Sequence, residues 1–144
     1  MRFPATLALA FGAALALASP ARAMLCEEGI TTPSATILTP VIDAVLRGDY
    51  RELTLAMDPD GALPEADRQR IIADLEGRMP LGYDECSVLV ARSLGADFDT
   101  YLILFASNGE RLYAFLGVSR IGGVWQVVYP LFTPDFAAAY SLLR

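Results

Sequence analysis

The chain contains no histidine and no lysine, and only two cysteines and one tryptophan. Without histidine there is no Ser-His-Asp or Cys-His catalysis, no His-ligated zinc and no ordinary proton shuttle near neutral pH. Acid–base chemistry is left to carboxylates, tyrosine and arginine. Without lysine, all 11 basic side chains are arginines; they face 17 acidic residues, for a formal net charge of −6. A surface this acidic repels phosphate backbones, which argues against nucleic acid and anionic membranes as partners. Long apolar runs are also missing, since none reaches the roughly 20 residues that a spanning helix needs.

What is present begins with an export signal. Arg2 supplies a positive start, Leu7 to Ala18 is an uncharged apolar run, Ser19 and Pro20 break it, and Ala21-Arg22-Ala23 offers small residues around one position. Cleavage is expected after Ala23, so that residues 1–23 form a signal peptide. A retained anchor would need a longer apolar run. A lipoprotein would need a small residue directly before Cys26, where Leu25 stands. The expected product is periplasmic or secreted, with no stable membrane anchor. Arg2 and Arg22 leave with the signal, so 9 of the 11 arginines remain against 17 acids, and the net charge moves from −6 to −8. Residues 24–144 are long enough for one core and one domain.

Cys26 and Cys86 are the only cysteines. In an oxidising compartment an even count reads as a disulfide, and closing a loop of about 60 residues is worth about 4 kcal/mol. Redox catalysis would favour a C-x-x-C pair, and zinc would want four ligands. Neither a metal nor a cofactor is expected.

Residues 24–38 lack periodicity and read as an extended tail, leaving residues 39–144 as a single α+β domain. Thr39-Pro40 is expected to cap a helix, with Ile42, Val45, Leu46, Tyr50, Leu53 and Met57 forming its buried stripe. Gly48 predicts either a kink or a division into two short helices. Asp58-Pro59-Asp60-Gly61 is a turn. A further helix is predicted from about Pro64 to Met79. Its inner stripe is Ile71, Ile72, Leu75 and Met79, and its wet side holds Arg68, Arg70, Asp74 and Glu76.

Four strands follow, at about 87–94, 100–106, 111–120 and 124–131, rich in β-branched and aromatic residues. Asn108-Gly109 and Gly122-Gly123 are two-residue hairpin turns, which makes an antiparallel meander. A C-terminal helix opening at Thr133-Pro134 is expected to turn Phe136, Tyr140 and Leu143 inward. The hairpins predict the pairs Phe105–Leu112, Ile103–Ala114, Tyr101–Leu116, Val118–Val127, Leu116–Tyr129 and Arg120–Trp125. That face is apolar and should carry the N-terminal helices on a curved sheet. The second face, with Leu102, Leu104, Tyr113, Phe115, Ser119, Gln126 and Val128, is too apolar to stand in water uncovered.

Val41-Ile42-Asp43-Ala44-Val45-Leu46-Arg47-Gly48-Asp49-Tyr50 resembles the opening helix of the NTF2-like (cystatin-like cone) superfamily, in which an amphipathic helix ends in a Gly-Asp step before a second short helix. The Asp58-Pro59-Asp60 turn and Ile121-Gly122-Gly123-Val124-Trp125-Gln126-Val127-Val128 continue the likeness, which covers about residues 39–131. It implies a conical α+β fold with a pocket. Two departures are the C-terminal helix and the missing histidine, which leaves the Asp/His residues of isomerase-like and dehydratase-like members without counterparts.

Asp58 and Asp60 alternate like the start of a calcium loop, but the later ligands are missing, and turn chemistry accounts for them. Asp97 and Asp99 are expected in a solvated strand connection. Arg120 and Trp125 are candidates for a cation–π pair that either caps the core or meets an anionic ligand at a pocket mouth. Tyr113, Ser119 and Gln126, with Phe115 beside them, would orient a ligand or contact a partner on the second face. Three roles follow: a non-enzymatic exported binding or interaction domain taking a small apolar ligand or forming a homodimer; a small-molecule enzyme using a carboxylate and tyrosine in a cone pocket; or a structural envelope accessory. Chemistry would need a buried carboxylate in the pocket, and none is expected on a strand.

Overall fold

The structure is a computed structural model that describes residue 26, residues 30–79 and residues 81–144. The export segment expected over residues 1–23 lies outside the described residues. So does part of the expected tail; what is described of it is not extended to its end, because Ala35–Ile37 forms a 3-10 turn that feeds directly into the first helix.

Helix α1 spans Leu38–Arg47, α2 Tyr50–Met57 and α3 Glu65–Arg78. The break between α1 and α2 comes from two consecutive residues. Gly48, at φ 68°, ends α1 in the left-handed conformation, and its N–H reaches the Ala44 and Val45 carbonyls. Asp49 then caps α2, its Oδ1 accepting the Glu52 N–H at 3.1 Å. Glycine suits a left-handed C-terminus and aspartate an N-cap, so a Gly-Asp step makes two helices rather than a kink. The expected Thr39-Pro40 cap does not form: α1 begins two residues earlier, at Leu38, and Ile37 takes the cap position without a side-chain bond. Pro40 is tolerated there because the first-turn N–H groups have no intrahelical partner in any case.

Gly48 also meets Gly82 in the loop before the sheet. A Cβ on Gly82 would press on the Leu46 carbonyl and lie 2.6 Å from the Gly48 nitrogen. The close approach lets the Tyr83 N–H reach the Leu46 carbonyl at 3.1 Å, docking the chain's entry into the sheet on the end of α1.

Strands β1 (Glu85–Ser93), β2 (Phe98–Ser107), β3 (Glu110–Ile121) and β4 (Val124–Thr133) form one antiparallel sheet in the order β1-β2-β3-β4. Asn108 and Gly109 both have positive φ, 49° and 85°, as a tight two-residue hairpin requires. Phe105–Leu112, Ile103–Ala114, Tyr101–Leu116, Val118–Val127 and Arg120–Trp125 pair as expected. Leu116 does not meet Tyr129. An irregularity beside Gly117 inserts one residue into β4, so that Leu116 faces Pro130 and Gly117 faces Tyr129. The extra residue rotates Pro130 and Phe132 onto the helix-bearing face. There Phe132 joins Leu112, Ala114, Leu116, Val118, Tyr101, Ile103 and Phe105 in packing against α1–α3.

The C-terminal helix α4 (Phe136–Ser141) lies against the other face, where Ala139 packs on Leu102 and Tyr113. Asp135, not Thr133, caps it, accepting from the Ala137 N–H at 2.8 Å. Phe136 and Tyr140 are 45% and 42% exposed rather than inward, because the small Ala139 is the residue that lets the helix approach the sheet.

Cys26 and Cys86 are paired, with Cα atoms 5.6 Å apart, inside the range that disulfides span. No helix among the described residues is long and apolar enough to cross a membrane.

Candidate functional site

The side chains singled out on the second face are engaged within the fold. Tyr113 lies under α4, its ring 5.2 Å from that of Phe136, and Phe115 meets Tyr129 edge-on at 6.0 Å. The Ser119 hydroxyl donates to the Asp97 carbonyl at 3.1 Å, and the Gln126 amide donates to Asp60 at 2.5 Å. Arg120 and Trp125 are cross-strand neighbours, yet the guanidinium turns to the Gly123 carbonyl at 3.3 Å. Trp125 packs half-buried against the core. The cation–π contact among the described residues is instead Arg144 over Tyr140, at 5.9 Å.

One carboxylate expected in solvent is fully buried. Asp99 lies inside β2, on the same face as Tyr101, and has no exposed surface. Its Oδ2 accepts from the Ser34 N–H at 3.0 Å and the Ser34 hydroxyl at 2.5 Å, and its Oδ1 accepts from Ser93 at 2.5 Å. The Tyr101 hydroxyl bridges Ser34 and Thr32 at 2.5 and 2.6 Å. Burial alone would raise the Asp99 pKa; the bonds from Ser34, Ser93 and Tyr101 outweigh it and hold the carboxyl below its ordinary value. This buried, ionised carboxylate, bonded on both oxygens, is a latch for the N-terminal segment.

The open space lies on the helix-bearing face. Helix α3 packs chiefly on α2 and reaches the sheet through Ile72, Leu75 and Met79. Between it and the strands is a cavity of about 440 Å³, lined by Leu75, Met79, Tyr83, Leu112, Phe132 and Pro134, with Arg78, Glu110 and Arg111 at its polar margin. A second cavity of about 470 Å³ shares Leu75, Arg78 and Phe132 and continues past Ile71, Met57, Pro130 and Leu131. Together they form a trough along α3 and β4. Volumes of this size, mostly apolar with a few polar groups, are those of small-molecule sites. Behind Met79, burial and the neighbouring Tyr83 and Glu76 push the Tyr50 pKa up to about 12. Burial, with Glu110, raises Tyr83 as well. Both phenols therefore stay neutral, and the Tyr50 hydroxyl donates to the Met79 carbonyl, fixing the end of α3.

Arg68, expected on the wet side of α3, is only 11% exposed and pairs with Asp58 at 3.3 Å. This pairing, with Asp58 also accepting the Ala62 and Leu63 N–H groups at 3.0 and 2.9 Å, gives Asp58 a turn-building role. No group of three or more potential metal ligands occurs among the described residues.

No protein-family model matches the sequence, and no curated protein matches it. Among solved structures the chain is similar to an NTF-2 like protein of unknown function from Silicibacter pomeroyi, with 20% identity over 68% of this chain and 89% of that one, and a TM-score of 0.47. A likeness this slight says nothing of chemistry.

Proposed function

We propose that this protein is an exported, non-enzymatic binding domain that holds a small apolar ligand in the trough between α3 and β4. The observation that carries the proposal is the apolar cavity under Leu75, Met79, Leu112 and Phe132, formed where α3 stands off the sheet. The buried carboxylate of the fold, Asp99, sits at the far end of β2 and is saturated by hydroxyl and amide donors. That favours binding over carboxylate chemistry. The Cys26–Cys86 pair and the expected signal peptide agree with export.

The test is titration with the uncharged fluorophore N-phenyl-1-naphthylamine. Folded protein is expected to bind it saturably at one site, and Met79→Trp, which narrows the cavity, to weaken binding about tenfold at unchanged circular dichroism. Unsaturable fluorescence, or equal binding by the variant, would count against the trough.

A second reading is homodimerisation through the other sheet face. It is favoured by Val128, Tyr129, Phe136 and Tyr140, all 42–50% exposed there. Sedimentation of the wild type against Tyr129→Glu decides it: a dimer that the variant does not dissociate would exclude that face.

A further inference from the structure

Resting on the ligand-binding role above, we infer that the trough takes a single-chain amphiphile with an anionic head, its tail along Leu75 and Phe132 and its head at Arg78 and Arg111. The charge distribution points there. Over the whole chain acids outnumber arginines 17 to 11. Along the two cavities the balance reverses: Arg70, Arg78 and Arg111 stand against Asp74 and Glu110. Arg70 is held by Asp67 at 2.9 Å and Arg78 by Asp74 at 3.0 Å. Arg111 makes no salt bridge among the described residues. It borders the first cavity on one side and, on the other, the hairpin end with Asp84 and Glu85. Arg78 touches both cavities, so a head near it leaves either arm of the trough for the tail.

Shape agrees with one extended chain. From Arg70 to Met79, α3 runs about 14 Å at its rise per residue. The lining over that length is Ile71, Leu75 and Met79 on one wall and Pro130 and Phe132 on the other. Leu75 and Phe132 line both cavities, so a methylene chain can run along them from one cavity into the other. Arginine presents a planar fork of donors that fits a carboxylate or a phosphate equally well, so the shared chemistry is the anion.

The experiment displaces N-phenyl-1-naphthylamine from the full chain with octanoate, decanoate, dodecanoate, dodecyl phosphate, 1-dodecanol and dodecyltrimethylammonium. Affinity is expected to rise about fourfold per added methylene until the trough is filled. Dodecanoate or dodecyl phosphate is expected to compete about tenfold better than dodecanol, and their ratio tells which head is preferred. Arg111→Gln should remove that advantage while leaving dodecanol unchanged, and Glu110→Gln should enlarge it. Equal competition by acid and alcohol, or a preference for the cation, overturns the anionic head while the trough survives. Bound fluorophore that no chain displaces overturns the tail. Failure of the fluorophore itself to bind would defeat the trough, which is a separate outcome.

Discussion

On the β1 flank, Cys86 near one end of the strand carries the disulfide to Cys26, and Ser93 at the other end shares Asp99 with Ser34. On the β4 flank, α3 meets the sheet through the side chains of Ile72, Leu75 and Met79, with cavities on either side of Leu75. One flank is thus fixed by a covalent bond and a saturated ionic cluster, both directional. The other is fixed by apolar contact, which has no preferred geometry and permits a gap. A small domain that must hold itself together and still keep a space open gains from separating the two tasks. Rigid tethers lie on one flank, and loose packing lies on the other, where the proposed ligand would enter.

The comparison breaks most visibly at the disulfide. Cys26→Ser with Cys86→Ser opens a loop with a sequence separation of 60, and the expected loss is about 4 kcal/mol from unfolded-state entropy. Urea unfolding with and without reductant measures it. A loss under about 1 kcal/mol would mean that the tail contributes little to the β1 flank.

Next is the latch. Asp99→Asn removes the charge that Ser34 and Ser93 solvate, at a cost of about 2 to 3 kcal/mol. The pH dependence follows from the direction of the shift. The folded pKa lies below the ordinary 3.8, so the unfolded chain takes up the proton first. The stabilisation is complete above that value and is lost as pH falls through the folded pKa. The stability gap between wild type and Asp99→Asn should therefore be constant near neutrality and close in acid. A gap unchanged well below pH 3.8 would show that Asp99 does not titrate as a latch.

These two flanks were unequally visible in the sequence. The disulfide needed only a count of cysteines and a compartment. The β2–β3 register was readable because Asn108-Gly109 allows one turn geometry and the strands alternate about it. The latch was hidden because the expected β2 starts at Thr100, two residues after its actual start at Phe98: Asp99 and Tyr101 are two apart, so a strand that includes Asp99 puts both on the core face. The β4 irregularity had one faint signal, Pro130 inside a strand that reads as continuous, since proline marks bulges and edges. The trough had none. Its walls come from α3, β3 and β4, and what makes it is the distance α3 keeps from the sheet. Side-chain periodicity reports which face is buried, and says nothing about how closely two buried faces meet.

The smallest expected loss, at Leu75, sharpens the comparison from the open flank. Leu75 is 5% exposed and borders both cavities, whereas Leu53, on α2 in the packed core, is fully buried. Truncation costs the lost transfer energy plus a penalty for the void left behind. At Leu53 the void is new and dry, so Leu53→Ala should cost about 4 kcal/mol. At Leu75 the removed atoms already faced space that solvent can enter, so Leu75→Ala should fall near the low end of the range, about 2 kcal/mol. Its effect on binding should run the other way, because widening the passage between the two cavities admits longer chains. Chemical denaturation of both variants, with chain-length competition on Leu75→Ala, checks the pair. Equal losses at the two leucines would mean that α3 packs as tightly as α2, and the space beneath it would have no reason to be open.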